Sequence, residues 1–211
     1  MFRKISTNHK VQFFRNWLAS PGTIGAVWPS SRQLAQQMLA ELNLAPGEGI
    51  VELGPGTGAI TRELLPHLSS PAQYLGIELS SQFLILLNAQ FPDLKFVQGD
   101  ARETHVLVEQ HLSCPVKYVL SSLPFSNQTP ATQQAIIESI SRCLAPNGLF
   151  RTYQYALAYW LPRAVRFREL TSAILCHQSR STILIRNLPP AFVLTWTNPA
   201  PSLGKAQNNG A

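Results

Sequence analysis

Charge is scarce in this sequence, and acid is scarcer than base. Only 13% of the 211 residues are charged, and 17 Lys and Arg stand against 11 Asp and Glu. No unbroken apolar run approaches the roughly 20 residues that a membrane-spanning helix needs. The opening stretch "MFRKISTNHK" lacks the apolar segment that directs export, so secretion by that route is not expected. Cysteine is rare too. Cys114, Cys143 and Cys176 are scattered, with neither the spacing of metal ligands nor the even number of a disulfide framework. No metal is expected, and a reducing cytosol suits such thiols best. Internal repeats are absent. The length fits one α/β domain with a sizeable core.

What charge there is lies unevenly. Residues 1–40 carry Arg3, Lys4, Lys10, Arg15 and Arg32 and no acid. Residues 41–150 carry twice as many acids as bases, and residues 151–186 carry six arginines against Glu169 alone. A mildly acidic middle between basic flanks points to an anionic surface nearby, nucleic acid or lipid headgroups.

The apolar spacing of Val11, Phe14 and Leu18, with Phe13 and Trp17 beside them, predicts a helix over residues 5–19. A loop rich in glycine and proline follows. Ser30 or Ser31 then caps a helix running to about Leu42. From "GIVELGPG" onward short apolar runs alternate with helical stretches, ending at "NGLFRTYQY". A further helix is expected near 158–170, then two strands within "STILIRNLPPAFVLTW" around a proline turn. The tail from Asn198 is expected to be disordered. Alternating strands and helices predict a mostly parallel sheet covered by helices on both faces. The last two strands are too close for a crossover helix, so they should be antiparallel. Ligands in such sheets bind at the carboxyl ends of the strands.

Three successive strand ends carry an acid. In "VELGPGTGAITREL", Glu52 precedes the glycines Gly54, Gly56 and Gly58, which permit close backbone approach to a ligand. An acid there would repel a phosphate and welcome a cation. "YLGIEL" ends on Glu78, placed to accept from ribose hydroxyls. "QGDA" brings Asp100, able to accept from an adenine amino group. Each feature alone also fits a plain strand-to-helix turn or a solvated acid. Together they describe a site for a nucleoside that is cationic and carries no phosphate.

On these residues the chain resembles the class I S-adenosylmethionine-dependent methyltransferases, over roughly residues 20–197. The resemblance implies their Rossmann-like fold with seven strands, the last antiparallel. It implies S-adenosyl-L-methionine as cofactor, with Glu52 and the loop from Gly54 to Gly58 at the methionine end, Glu78 at the ribose, and Asp100 with Ala101 at the adenine. Ser30, Ser31, Thr57, Leu79 and Ser121 complete the implied cofactor set. The fourth strand ends in "VLSSLPF". In related amino-methylating enzymes this lip reads Asn or Asp, any residue, Pro, then an aromatic. Here it is Ser122-Leu123-Pro124-Phe125, so the lip should receive an amine, with serine a weaker acceptor than Asn or Asp. The other reading has Pro124 and Phe125 only ending the strand and packing the core.

"FFRNWLASPGTIGAVWPSS", "SSLPF" and "RNLPPAFV" resemble more narrowly the bacterial phospholipid N-methyltransferases. That likeness implies stepwise methylation of the phosphatidylethanolamine amine at the inner face of the cell membrane, by a cytoplasmic enzyme held there peripherally. The stretch "FRTYQYALAYW" departs from that family's pattern after the fifth strand. As methyl groups accumulate, the headgroup becomes a bulky cation that aromatic faces hold. Phe125, Tyr153 and Tyr155 are the candidates, although two tyrosines alternating on a strand are also ordinary packing. The basic, aromatic first helix would lie in the lipid interface, or else dock on the core as an ordinary amphipathic helix. Two other readings stay open. One is an rRNA adenine N6-methyltransferase, which the basic flanks would suit; nucleic acid is the less expected partner, because only a short polar tail follows Trp196. The other is a non-catalytic protein that binds S-adenosylmethionine or membranes. Oligomeric state is not legible.

Overall fold

The computed structural model describes residues 31–185, 187 and 189–200. The helix expected over residues 5–19, and Ser30, lie outside these residues. Seven strands form one sheet in the order β3-β2-β1-β4-β5-β7-β6. They are β1 (Gly49–Leu53), β2 (Tyr74–Glu78), β3 (Lys95–Gln98), β4 (Val116–Ser121), β5 (Leu144–Tyr155), β6 (Cys176–Arg180) and β7 (Ala191–Thr197). Pairing is parallel from β3 through β5. Strand β7 enters antiparallel between β5 and β6, so the expected sheet, last strand included, is the one observed.

Among the described residues six α-helices cover it: α1 (Arg32–Met38), α2 (Ala59–Leu64), α3 (Ser81–Gln90), α4 (Thr104–His111), α5 (Pro130–Cys143) and α6 (Pro162–Ile174). Their starts follow local chemistry. Ser31, not Ser30, caps α1, its Oγ accepting the Leu34 N–H at 3.1 Å. Thr129 caps α5 and Pro130 takes the first turn, where its missing N–H costs nothing. Among the described residues, no helix is long and apolar enough to cross a membrane.

The central strands are buried on both faces and separate two cores. Val51, Leu53, Val119, Phe150 and Trp196 face one. Ile50, Tyr118, Leu120 and Tyr153 face the other, with α1 and α2. This is the period of two of a strand, read across a sheet with no solvent face.

Three boundaries differ from the sequence expectation. The helix expected near 158–170 begins at Pro162, because proline suits the first helical turn, and runs on to Ile174. The strand expected in "STILI" is Cys176–Arg180 instead. Of that stretch, Ser181 meets β7 by exchanging hydrogen bonds with Val193 and Leu184 by one bridge to Ala191, while Ile183 and Ile185 stay exposed. Asn198 is not loose. Its N–H donates to the Gly148 carbonyl at 2.8 Å, and its side-chain amide to the Leu144 carbonyl at 2.7 Å.

Candidate active site

Two cavities open at the carboxyl end of the sheet, and Leu123 lines both. Backbone hydrogen bonds carry the pairing of the strands just beyond their ends. Gly54 N–H donates to the Ile77 carbonyl, Gly99 N–H to that of Glu78, and Ser122 N–H to that of Leu53, at 2.9–3.1 Å. The turns that follow each strand are thereby fixed side by side.

The first cavity, of about 320 Å³, spans the ends of β1, β2 and β3. This is within the roughly 300–1,000 Å³ of small-ligand sites. Gly54, Glu78, Leu79, Asp100 and Ala101 line it together. Each Glu78 oxygen accepts one backbone N–H, from Gly56 at 3.0 Å and from Ser80 at 2.9 Å. The carboxylate is thus held in one orientation, with lone pairs remaining for a diol. Asp100 accepts from the Arg102 backbone at 2.8 Å and its guanidinium at 2.7 Å. That hydrogen-bonded ion pair holds the Asp100 carboxyl below its usual pKa. Gly54 has φ +68°, and a Cβ there would come within 2.9 Å of the Leu123 side chain. Only glycine brings the β1 turn this close to the β4 lip.

Other members of the implied cofactor set serve elsewhere. Ser121 is buried, and its Oγ accepts the Leu123 N–H at 3.2 Å. Ser31 is the helix cap already described. Thr57 and Gly58 belong to the turn into α2 and do not line the cavity. Glu52 does not line it either. It is fully buried, with Oε2 accepting from the hydroxyls of Thr61 and Tyr74, each at 2.7 Å. Oε1 has no partner among the described residues. Burial, countered in part by those two donors, raises its pKa to about 7. A buried acid with an unused oxygen beside a glycine turn fits the ammonium end of an amino-acid-bearing nucleoside.

Sequence reasoning missed the opposite wall. Gln128, Thr132 and Ile136 also line this cavity. Their spacing of four residues, entering and along α5, is one helical face and was readable.

The second cavity, of about 230 Å³, lies beyond the β4 lip. Ser122, Leu123, Pro124, Phe125, Tyr153 and Tyr155 all line it, so the expected acceptor residues do converge. The Phe125 ring is nevertheless committed to the core. It is 3% exposed, stacked on Phe167 at 4.2 Å and edge-on to Phe150. Tyr153 and Tyr155 meet edge to face at 5.7 Å. Burial and the neighbouring Tyr153 push the Tyr155 phenol above its usual pKa, so it stays neutral. Gln154, missed from sequence, is held by Arg168, whose Nη1 donates to its Oε1 at 2.7 Å. Among the described residues, no carboxylate and no histidine lines this cavity.

Residues 50–148 match a protein family described as "Methyltransferase domain". The chain carries a methyltransferase domain. It is a class I domain, with S-adenosylmethionine as methyl donor. The methyltransferase is 25% identical over 183 residues to an ornithine lipid N-methyltransferase of Singulisphaera acidiphila, covering 85% of this chain and 89% of that one. It is 36% identical over 78 residues to ribosomal RNA small subunit methyltransferase A of Thermosynechococcus vestitus, covering 36% of this chain and only 28% of that protein. Among solved structures, the N-methyltransferase NodS of Bradyrhizobium japonicum WM9, in complex with S-adenosyl-L-homocysteine, shares its fold. The TM-score is 0.61 at 14% identity, over 90% of this chain and 98% of that one. A TehB-like methyltransferase of Corynebacterium glutamicum gives 0.59 at 18% identity, over 90% of this chain and 96% of that one.

Proposed function

We propose that this methyltransferase transfers methyl groups to the amine of a membrane phospholipid, phosphatidylethanolamine and its partly methylated forms. The observation that carries the reading is the second cavity. It adjoins the cofactor cavity at Leu123, is lined by Ser122 and two tyrosines, and has no ionised group among its described lining residues. A carboxylate there would hold an incoming amine as its ammonium, which has no lone pair to attack with. A neutral, half-apolar cavity disfavours the ammonium and leaves the free amine.

S-adenosylmethionine supplies a methyl group on a positively charged sulfur. Glu78, Asp100 and the Gly54 turn would hold it, with Glu52 near its ammonium. Leu123 is the wall between the two cavities, so it sets where the two reactants meet. Ser122 Oγ accepts from the attacking nitrogen, and alignment provides most of the acceleration. Tyr155, kept neutral, is no base, so the proton leaves to water. Tyr153 and Tyr155 offer π-faces that hold the methylated headgroup, at about 0.5–2 kcal/mol each. Phe125 supports the lip from behind.

The ornithine lipid enzyme supports a lipid-borne amine as acceptor, since the likeness runs through most of both chains. The ribosomal RNA enzymes support a nucleic-acid acceptor less well. The chain spans only 28–44% of the length of those relatives. Purified protein with radiolabelled S-adenosylmethionine decides between them. It is offered vesicles containing phosphatidylethanolamine, vesicles containing ornithine lipid, and ribosomal small subunits. Label in the phosphatidylethanolamine extract is the expected result. Label only in ornithine lipid corrects the headgroup, and label only in RNA overturns the lipid reading. No label anywhere leaves a binding protein without catalysis.

A further inference from the structure

We propose that the turn from Ala156 to Leu161, with the start of α6, is a docking surface for an anionic lipid bilayer. This rests on the lipid reading above. Leu157, Trp160 and Leu161 are 85%, 77% and 53% exposed, a concentration of large apolar side chains that a protein meant to stay in water rarely presents. They are not a floppy tip. Between them Tyr159 is buried, its ring covered by the Arg168 guanidinium at 3.8 Å and packed against Phe192 at 4.9 Å. Arg168 Nη1 also donates to the Tyr159 carbonyl at 2.7 Å. The turn is therefore pinned to the sheet, and its three apolar neighbours are held outward.

Charge says which kind of surface fits. Arg163 and Arg166 follow immediately and are exposed, and the only acid on α6 is Glu169. Apolar side chains flanked by arginines match an interface whose headgroups are anionic and whose interior is hydrocarbon. Tryptophan suits the boundary between them. Position says why such a surface would be useful. Ala158, inside the turn, and Ala164, on the first turn of α6, both line the acceptor cavity. The loop carrying exposed Ile183 and Ile185 returns to this end of the sheet, where Leu184 bridges Ala191, the residue paired with Tyr155. A bilayer seated here places headgroups at the cavity mouth, and a lipid needs to rise only slightly to be methylated.

Two measurements test this without requiring turnover. Vesicles of anionic lipid with bromine-bearing acyl chains should quench tryptophan emission, and W160F should lose much of the quenched fraction. Combined L157S, W160S and L161S should lower partitioning onto such vesicles at least tenfold. The same variant should keep wild-type transfer to a short-chain lipid dispersed in detergent, since none of the three residues lines either cavity. R163Q with R166Q should abolish the preference for anionic over neutral vesicles. Equal quenching in wild type and W160F, or unchanged partitioning of the triple variant, overturns the docking surface. Docking without any lipid methylation would overturn the function proposed above and leave this surface standing.

Discussion

Glu52 is the residue whose chemistry is most exposed to test. Its carboxyl has a pKa of about 7 in the folded protein against an ordinary 4.5, because burial penalises the anion more than Thr61 and Tyr74 relieve it. Between these values the folded chain keeps a proton that the unfolded chain has released. The contribution to stability is full below pH 4.5, declines as pH rises, and is gone above about pH 7. At 1.36 kcal/mol per unit, the swing is about 3 kcal/mol. Glu52→Gln retains an oxygen for both hydroxyls and cannot titrate. The difference in unfolding free energy between variant and wild type should therefore move by about 2–2.5 kcal/mol in the variant's favour from pH 5 to pH 8. Urea midpoints across that range measure it, and a constant difference would show that Glu52 ionises normally. A cation reaching the unpartnered Oε1 would draw the proton off, so cofactor binding should release acid near pH 7. The sequence announced an acid at this strand end. It could not announce Thr61 and Tyr74 as its partners, because they come from another helix and another strand. Phe125 and Tyr155 make the same point: both are aromatic and near the lip, but only the packing of Phe167 shows that Phe125 belongs to the core.

At the scale of elements, the turn from β1 into α2 is where backbone conformation is most demanding. Gly58 caps α2 at φ +76°, and a Cβ there would lie 2.4 Å from the Phe91 ring at the end of α3. Gly56 also has positive φ, +56°, but a Cβ there meets nothing nearer than the Gly54 carbonyl at 3.9 Å. Gly56→Ala should thus cost only left-handed backbone strain, about 1–2 kcal/mol. Gly58→Ala adds a clash between α2 and α3 and should cost about 2–5 kcal/mol. Denaturant unfolding of the two variants ranks them, and equal losses would reject the packing argument. This turn was legible because its apolar strand, glycines and helix follow one another without interruption. Strand β6 was not. "CHQSR" has neither apolar alternation nor β-branched residues, and it becomes a strand because β7 offers it an open edge.

The described sheet carries a cavity on each side of β4. The order β3-β2-β1-β4-β5-β7-β6 puts the cofactor cavity at the ends of β1 to β3, on one side of β4. The second cavity, the proposed acceptor site, and the exposed turn lie at the end of β5, on the other side. Only the β4 lip, through Leu123, belongs to both. Amide hydrogen exchange should resolve this division. Protection without ligand should be greatest in β1, β2 and β4, which are paired on both sides and buried on both faces, and least in the edge strands β3 and β6. S-adenosylmethionine should slow exchange at residues 54–58, 78–80 and 99–104 and steady edge strand β3, leaving residues 156–166 unchanged. Anionic vesicles should do the reverse, protecting 156–166 and 183–185 and sparing β3. The two effects should meet only at residues 122–125. If the cofactor protected the turn at 156–161 as strongly as the Gly54 loop, the halves would be one cooperative unit and the division would fail. If vesicles protected nothing among these residues, lipid would have to reach the cavity by another face.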